Sequence, residues 1–289
     1  MIMQWANRMV LAILLLLGST VAAAQDMLWR QVEPDNLVFV ELLDGRFVME
    51  LNPRFAPKTV EQFRQLVLSR FYDGLSFYRV IDGFVAQGGD GSDLGALSDV
   101  PELNAEFAID WDEEAEIPIP FTAVQKPDMF ADETGFIDAF PVARDLEKNQ
   151  LWLSHCPGMV AMARNDDINS SRTDFYIVIG QAPRYLDRNM NVFARVIDGM
   201  EVVQRIQRGP ADANGVINED TDRSRIRTMR LGSEAPEEEQ LKVLVMDSDS
   251  KPFRKMLEAR RERKQKFFHN QPPEVLDICQ IPNSGQVTK

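Results

Sequence analysis

The sequence predicts a mainly β protein built on a closed antiparallel sheet. Two observations predict it. Hairpin turns join most of the β-rich runs, and the helical patterns do not alternate regularly with strands, as a doubly wound α/β fold requires. With 44% apolar and 27% charged residues in 289, the chain has material for a sizeable core.

The elements follow in order. Residues 36–43 (NLVFVELL) and 46–51 (RFVMEL) are β-rich runs separated by Asp44-Gly45, a strong hairpin signal. A helical pattern covers Thr59–Arg70, with Pro57 near its start and Val60, Phe63, Leu66 and Val67 forming one apolar stripe. Asp73-Gly74 closes that unit. Phe77–Ile81 and Phe84–Gln87 read as strands around an Asp82-Gly83 turn. Residues 91–157 hold many acids, scattered prolines and few clean periods, which predicts a long inserted loop region with short elements. Met159–Ala163, Phe175–Ile179 and Val192–Val196 are further strands. Met200–Arg208 reads as a short amphipathic helix ended by Gly209-Pro210, and Ile226–Leu231 as the last strand of the sheet. The acidic segment Gly232–Gln240 marks a boundary. Beyond it come a strand at Leu241–Met246 and a charged helix at Pro252–Phe268.

The first 24 residues form a separate object. Arg8 precedes the apolar run Met9–Leu17, and Ala22-Ala23-Ala24 supplies the small residues of a signal-peptidase site, so residues 1–24 read as a signal peptide. Export, most simply to a periplasm, is the expectation, with no membrane attachment after cleavage. The remaining chain carries 31 basic and 45 acidic side chains, which argues against nucleic acid as a partner. A monomer is expected. Only two cysteines occur, Cys156 and Cys279; in an oxidising compartment a disulfide is favoured over two buried free thiols. Their spacing, with only two histidines in the chain, gives no support for a metal site.

General catalytic motifs do not settle the chemistry. No G-x-G-x-x-G, P-loop or G-x-S-x-G is present. Asp212-Ala213-Asn214-Gly215 begins like a calcium loop but lacks the later bidentate Glu, so it reads as an ordinary turn. The segment Phe77–Asp90 (FYRVIDGFVAQGGD) is more informative. Strand alternation would put Phe77, Arg79 and Ile81 on one face and Tyr78 and Val80 on the other. An Arg among aromatic and β-branched residues either stacks at a rim or is displayed across a pocket, here beside Phe84 and Gln87.

That segment resembles the cyclophilin signature Phe-His-Arg-Val-Ile-x-Gly-Phe-x-x-Gln-Gly-Gly-Asp, with Tyr78 in place of the usual His. Other blocks agree in order: Ala56–Phe63 and Phe71–Gly74, then Gly158–Ala163 and Thr173–Ile177, then Tyr185–Asp187 and Asn191–Met200. The likeness covers roughly residues 35–232, interrupted by the insertion, and residues 233–289 are left as an extension expected to pack on the barrel. It implies an eight-stranded antiparallel barrel capped by two helices, and a groove for proline-containing polypeptides. It implies peptidyl-prolyl isomerase activity needing no cofactor. Carried over by position, Arg79 is the catalytic arginine. Phe84, Val85, Gln87, Ala163, Asp174, Tyr176, Tyr185, Leu186 and Met190 are the substrate-binding set.

The match departs from the family at several of those positions. Tyr176 replaces a Phe, and its hydroxyl needs a partner if buried. Tyr185 stands where a Trp is frequent, Met190 near a pocket His, Arg164 for an Asn and Asp174 for a Gln; Arg164 and Asp174 could pair with each other. These changes leave a second reading open, a non-catalytic proline-peptide-binding or scaffold protein on the same frame.

Overall fold

A computed structural model of the chain describes residues 28–91, 99–111, 119–236, 240–282 and 285–288. Residues 1–24, expected from the sequence to be a signal peptide, lie outside the described residues. The strands, in chain order, are β1 Trp29–Gln31, β2 Leu37–Leu42, β3 Gly45–Leu51, β4 Ser76–Ile81, β5 Val85–Gly89, β6 Ile109–Asp110, β7 Thr122–Gln125, β8 Glu133–Ile137 and β9 Phe140–Asp145. They continue with β10 Gln150–Leu153, β11 Met159–Met162, β12 Phe175–Val178, β13 Val192–Asp198, β14 Ser224–Arg225, β15 Thr228–Leu231, β16 Lys242–Met246 and β17 Gly285–Thr288. The helices are α1 Pro57–Leu68, α2 Met200–Val203 and α3 Lys251–Glu262.

The main sheet runs β14-β4-β5-β12-β11-β13-β3-β2-β15. Its two edge strands are successive stretches of one segment, separated only by Ile226-Arg227. Ile226 N donates to Leu75 O beside β4, and Arg227 N donates to Glu41 O of β2, both at 2.8 Å. The sheet therefore curls until its edges share a strand, and the edge-strand problem of an open sheet is relieved. Counting 224–231 as one strand gives the eight positions of the expected barrel.

Period-two alternation fills the interior. Val160, Met162, Phe175 and Ile177 point into the barrel with Val38, Val40, Phe47 and Met49. Helix α1 closes one end through Val60, Phe63, Leu66 and Val67, and α2 contributes Val202 and Val203. The predicted stripe on α1 is thus the buried one. The predicted helix over 200–208 is shorter, because residues beyond Val203 turn off toward Gly209-Pro210. The first hairpin turns at Leu43-Asp44, one residue earlier than its sequence signal, with Leu42 paired to Gly45.

The insertion differs most from expectation. Where loop was expected, its strands β6 to β10 form a second antiparallel sheet, ordered β6-β10-β9-β8-β7. Every residue of β8 and the first four of β9 are buried, so burial on both faces erases the alternation that would have marked them as strands. Phe136, Phe140, Val142, Leu151 and Leu153 of this sheet share a core with the outward residues of the barrel: Val85, Met159, Ala161, Tyr176, Val178 and Val192. A buried ion pair pins the hairpin tip. Arg195 of β13 donates to Glu50 of β3 at 2.7 and 3.0 Å and to Ala139 O at 2.7 Å, while Arg30 donates to Asp138 O at 2.6 Å.

The extension packs on the insertion as well as on the barrel. Phe253 of α3 meets Phe136 edge-on at 5.3 Å, and Leu276, Ile278 and Ile281 join the same core. Helix α3 stops at Glu262, short of the predicted Phe268, because Arg263 adopts a left-handed conformation (φ 44°). Strand β16 pairs with β17 on one side and with β1 on the other, so residues 29–31 belong structurally with the extension rather than outside it. Cys156 and Cys279 form a disulfide, which ties the end of the insertion to the tail.

Candidate functional site

The strand pair β4–β5 builds the centre of the site, and it does so through a β-bulge. Phe77 pairs with Gly88 and Arg79 with Gln87, leaving Tyr78 as an extra residue. The expected alternation is broken there. Phe77 and Val80 face the barrel core, while Tyr78 and Arg79 both turn outward toward Gln87. The bulge, not simple strand period, aims the arginine.

Arg79 is held at two of its donors. Nη1 donates to Gln87 Oε1 at 2.8 Å, and Nε to the carbonyl of Asn214 at 3.2 Å. The Gln87 amide is oriented in turn by donating from Nε2 to the Tyr78 hydroxyl at 2.7 Å. The turn at Asp212–Gly215 therefore does more than reverse the chain. Gly215, at φ 77°, lies so close to Val80 and Ile81 that a Cβ would fall 2.6 Å from Ile81 Cγ1. Its carbonyl receives the Val80 N–H at 2.8 Å, so Asn214 comes to rest beside Arg79. No local signal marked Asn214 as part of the site, because it acts through its backbone.

Arg79 stands at a pocket of about 140 Å³ lined also by Phe84, Val85, Gln87, Ala163, Arg164, Tyr176, Leu186 and Met190. The structure thus brings together eight of the ten residues singled out from the sequence. It does not bring Asp174 and Tyr185 there. Asp174 is buried on the other side of Gly89, where its Oδ1 accepts the Gly91 N–H at 2.9 Å. At Gly89 (φ 144°) a Cβ would fall 2.0 Å from that oxygen, so Asp174 packs against the turn following β5 and not against the pocket. Tyr185 is 67% exposed and is not among the lining residues. Arg164 does not pair with Asp174. Its guanidinium donates to the carbonyls of Asn189 at 2.9 Å and Asn165 at 2.7 Å.

Behind the pocket wall lies a buried polar chain that sequence reasoning missed. The Tyr176 hydroxyl is 2.9 Å from His155 Nε2, and His155 Nδ1 is 3.1 Å from Asp187 Oδ1. An ionised carboxylate only accepts, so Nδ1 carries the proton, and Nε2 is left to accept the Tyr176 O–H. Asp187 also accepts from His155 N at 2.9 Å, Trp152 Nε1 at 3.2 Å and Arg184 Nε at 2.6 Å. Burial pushes the Asp187 carboxyl upward, but the hydrogen bonds from His155 and the charge of Arg184 outweigh it and hold its pKa below the ordinary carboxylate value. Burial, with the Asp187 charge adding, pushes the Tyr176 phenol far above its ordinary range, so it remains a proton donor. Tyr176 at a position where the family carries Phe was the one sequence signal that such a partner had to exist.

Larger clefts of about 530 and 560 Å³ lie on the extension and between extension and insertion. Neither includes Arg79 or any residue of the pocket beside it. Among the described residues no cluster of three metal-ligating side chains occurs. In chemical terms, the pocket by Arg79 can hold a small apolar ring and direct a charged N–H donor at it.

Comparison with known proteins bears on that chemistry. Residues 37–230 match the family model described as cyclophilin type peptidyl-prolyl cis-trans isomerase. A probable peptidyl-prolyl cis-trans isomerase of Brucella suis biovar 1 is 29% identical over 197 residues, covering 64% of this chain and 78% of its own. The peptidyl-prolyl cis-trans isomerase ppi1 of Schizosaccharomyces pombe is 28% identical over 162 residues, covering 56% of this chain and 79% of its own. Among solved structures, cyclophilin AquaCyp293 from Hirschia baltica superposes with a TM-score of 0.72 at 29% identity, covering 90% of this chain and 93% of that one. The breadth of that superposition means that the insertion and extension have counterparts there as well.

Proposed function

Because the chain belongs to the cyclophilin-type peptidyl-prolyl cis-trans isomerase family, we propose that it acts on Xaa-Pro bonds of exported polypeptides and so assists their folding. Isomerase chemistry comes with the family. The exported clients, the folding role and the parts played by individual residues are our reading.

The observation that carries the reading is the Arg79 guanidinium, fixed by Gln87 Oε1 and Asn214 O at the mouth of an apolar pocket. The Xaa-Pro bond resists rotation because the nitrogen lone pair is delocalised into the carbonyl, giving a barrier of ~18–20 kcal/mol. Twisting the bond localises that pair on nitrogen. A guanidinium N–H near the prolyl nitrogen then gains an acceptor that the planar ground state does not offer, which is differential stabilisation of the transition state. Lowering the barrier by ~5–7 kcal/mol accelerates rotation about 10⁴–10⁵-fold. Phe84, Val85, Ala163, Tyr176, Leu186 and Met190 grip the ring while the preceding residue turns, and Gln87 keeps Arg79 in place. No covalent nucleophile takes part.

Export is supported by the charged and apolar pattern of residues 1–24 and by the Cys156–Cys279 disulfide, which suits an oxidising compartment such as a periplasm. The net acidity fits soluble polypeptide clients rather than nucleic acid or an anionic membrane, and a monomer suffices because one chain supplies the whole pocket. The test is the rate of cis–trans exchange in a proline tetrapeptide with the purified chain lacking residues 1–24. The expected result is strong acceleration. Localising the protein by fractionation of its host tests the export reading separately, and an unprocessed cytoplasmic chain would overturn it.

A further inference from the structure

We propose that His155 and Asp187 are positioning residues of the proline pocket, holding Tyr176 with its hydroxyl turned away from substrate. The inference rests on the isomerase reading and adds two residues that the pocket lining does not contain.

Tyr176 is almost fully buried, and its ring forms part of the pocket wall. A phenol in an apolar pocket has two choices. It can turn its O–H toward the bound ring, wetting the site and leaving a polar group against an apolar ligand, or it can spend the O–H on a partner behind the wall. Here the partner is in place. His155 Nε2 lies 2.9 Å from the hydroxyl, the two rings are nearly parallel at 15°, and His155 is completely buried. The imidazole cannot swap its proton to the other nitrogen without losing Asp187, which the main chain of His155, the indole of Trp152 and the guanidinium of Arg184 hold in place. Arg184 is itself anchored by Asp128 at 3.0 Å. The result is an ordered chain in which Tyr176 donates to His155, while His155 and Arg184 both donate to Asp187.

The origin of these residues gives the insertion a function. Asp128, Trp152 and His155 come from the stretch between β5 and β11, and Cys156, next to His155, is bonded to the tail. Asp187 follows Leu186, which lines the pocket from the front. The insertion therefore reaches behind the proline pocket and supplies the group that keeps a tyrosine wall apolar toward substrate.

The experiment is a double-mutant cycle in the full chain without residues 1–24, with KM and kcat for an Ala-Ala-Pro-Phe tetrapeptide measured beside affinity for the same peptide by titration. His155→Ala in the otherwise native chain should raise KM and weaken affinity about tenfold while kcat changes less. The same substitution in the Tyr176→Phe background should change both by less than about twofold, because the hydroxyl it serves is gone. His155→Gln, which restores an acceptor, should recover part of the loss. Equal losses in the two backgrounds would reduce His155 to a structural role and overturn the proposal, as would no loss in either. If His155→Ala fails to fold by far-UV circular dichroism, Asp187→Asn in the native and Tyr176→Phe backgrounds completes the cycle with the same criteria. A native chain that binds peptide without accelerating exchange would overturn the isomerase reading instead, and the coupling in affinity would still decide this one.

Discussion

Tyr78 and Arg79, neighbours in the chain, lie on the same face of β4 and converge on the two ends of one amide, that of Gln87. Nε2 of Gln87 donates to the Tyr78 hydroxyl and Oε1 accepts from Arg79, at 2.7 and 2.8 Å. A regular strand would have sent the two side chains to opposite faces; the bulge opposite Gln87 makes the three-residue unit possible.

From this unit follows a graded loss of activity. Gln87→Ala removes the acceptor that orients Arg79 and should lower kcat/KM about tenfold or more, since hydrogen bonds to charged groups contribute ~1.5–3 kcal/mol. Tyr78→Phe removes only the contact that orients Gln87 and should cost about two- to fivefold, the size of a neutral hydrogen bond. Steady-state kinetics on a proline tetrapeptide checks both. A larger loss in Tyr78→Phe than in Gln87→Ala would contradict the order of dependence.

The disulfide closes a sequence separation of 123 residues. Reduction, or Cys156→Ser with Cys279→Ser, should lower stability by ~4–5 kcal/mol in the chain-entropy model. Urea unfolding with and without reductant measures it, and the mass shift on alkylation before and after reduction establishes the bond chemically. An unchanged unfolding midpoint would contradict the assigned contribution.

Asp187 sets a pH signature. Its folded pKa lies below the unfolded value, so the native state favours the carboxylate. The stability it contributes is fully present above the unfolded pKa of ~3.9 and is lost as pH falls through the lower folded value. The stability gap between the native chain and Asp187→Asn should therefore be constant from about pH 5 upward and shrink below about pH 4. Denaturant midpoints across that range test it; a gap that widens on acidification would reverse the sign.

Much of the barrel was legible in the sequence because turn residues such as Asp44-Gly45 and Asp82-Gly83 bound its strands and dense motifs mark them, even where β5, β11 and β12 are buried on both faces. The insertion was not, because β8 and much of β9 are covered on both faces and lose their period. In the site, Arg79 and Gln87 were readable because they lie eight residues apart within one dense motif. Asp174 was misplaced because only the close approach of Gly89 reveals which side of the turn it occupies. His155 and Asp187 escaped notice because they lie 32 residues apart and meet only through the packing of the insertion behind β12.

The catalytic role of Arg79 is tested most directly by the rate of cis–trans exchange with Arg79→Ala. The geometry predicts a fall in kcat/KM of about 10²–10³-fold, the size expected when a preorganised transition-state donor is removed, with the circular dichroism spectrum and unfolding midpoint close to those of the native chain. Undiminished exchange in a folded Arg79→Ala protein would contradict it.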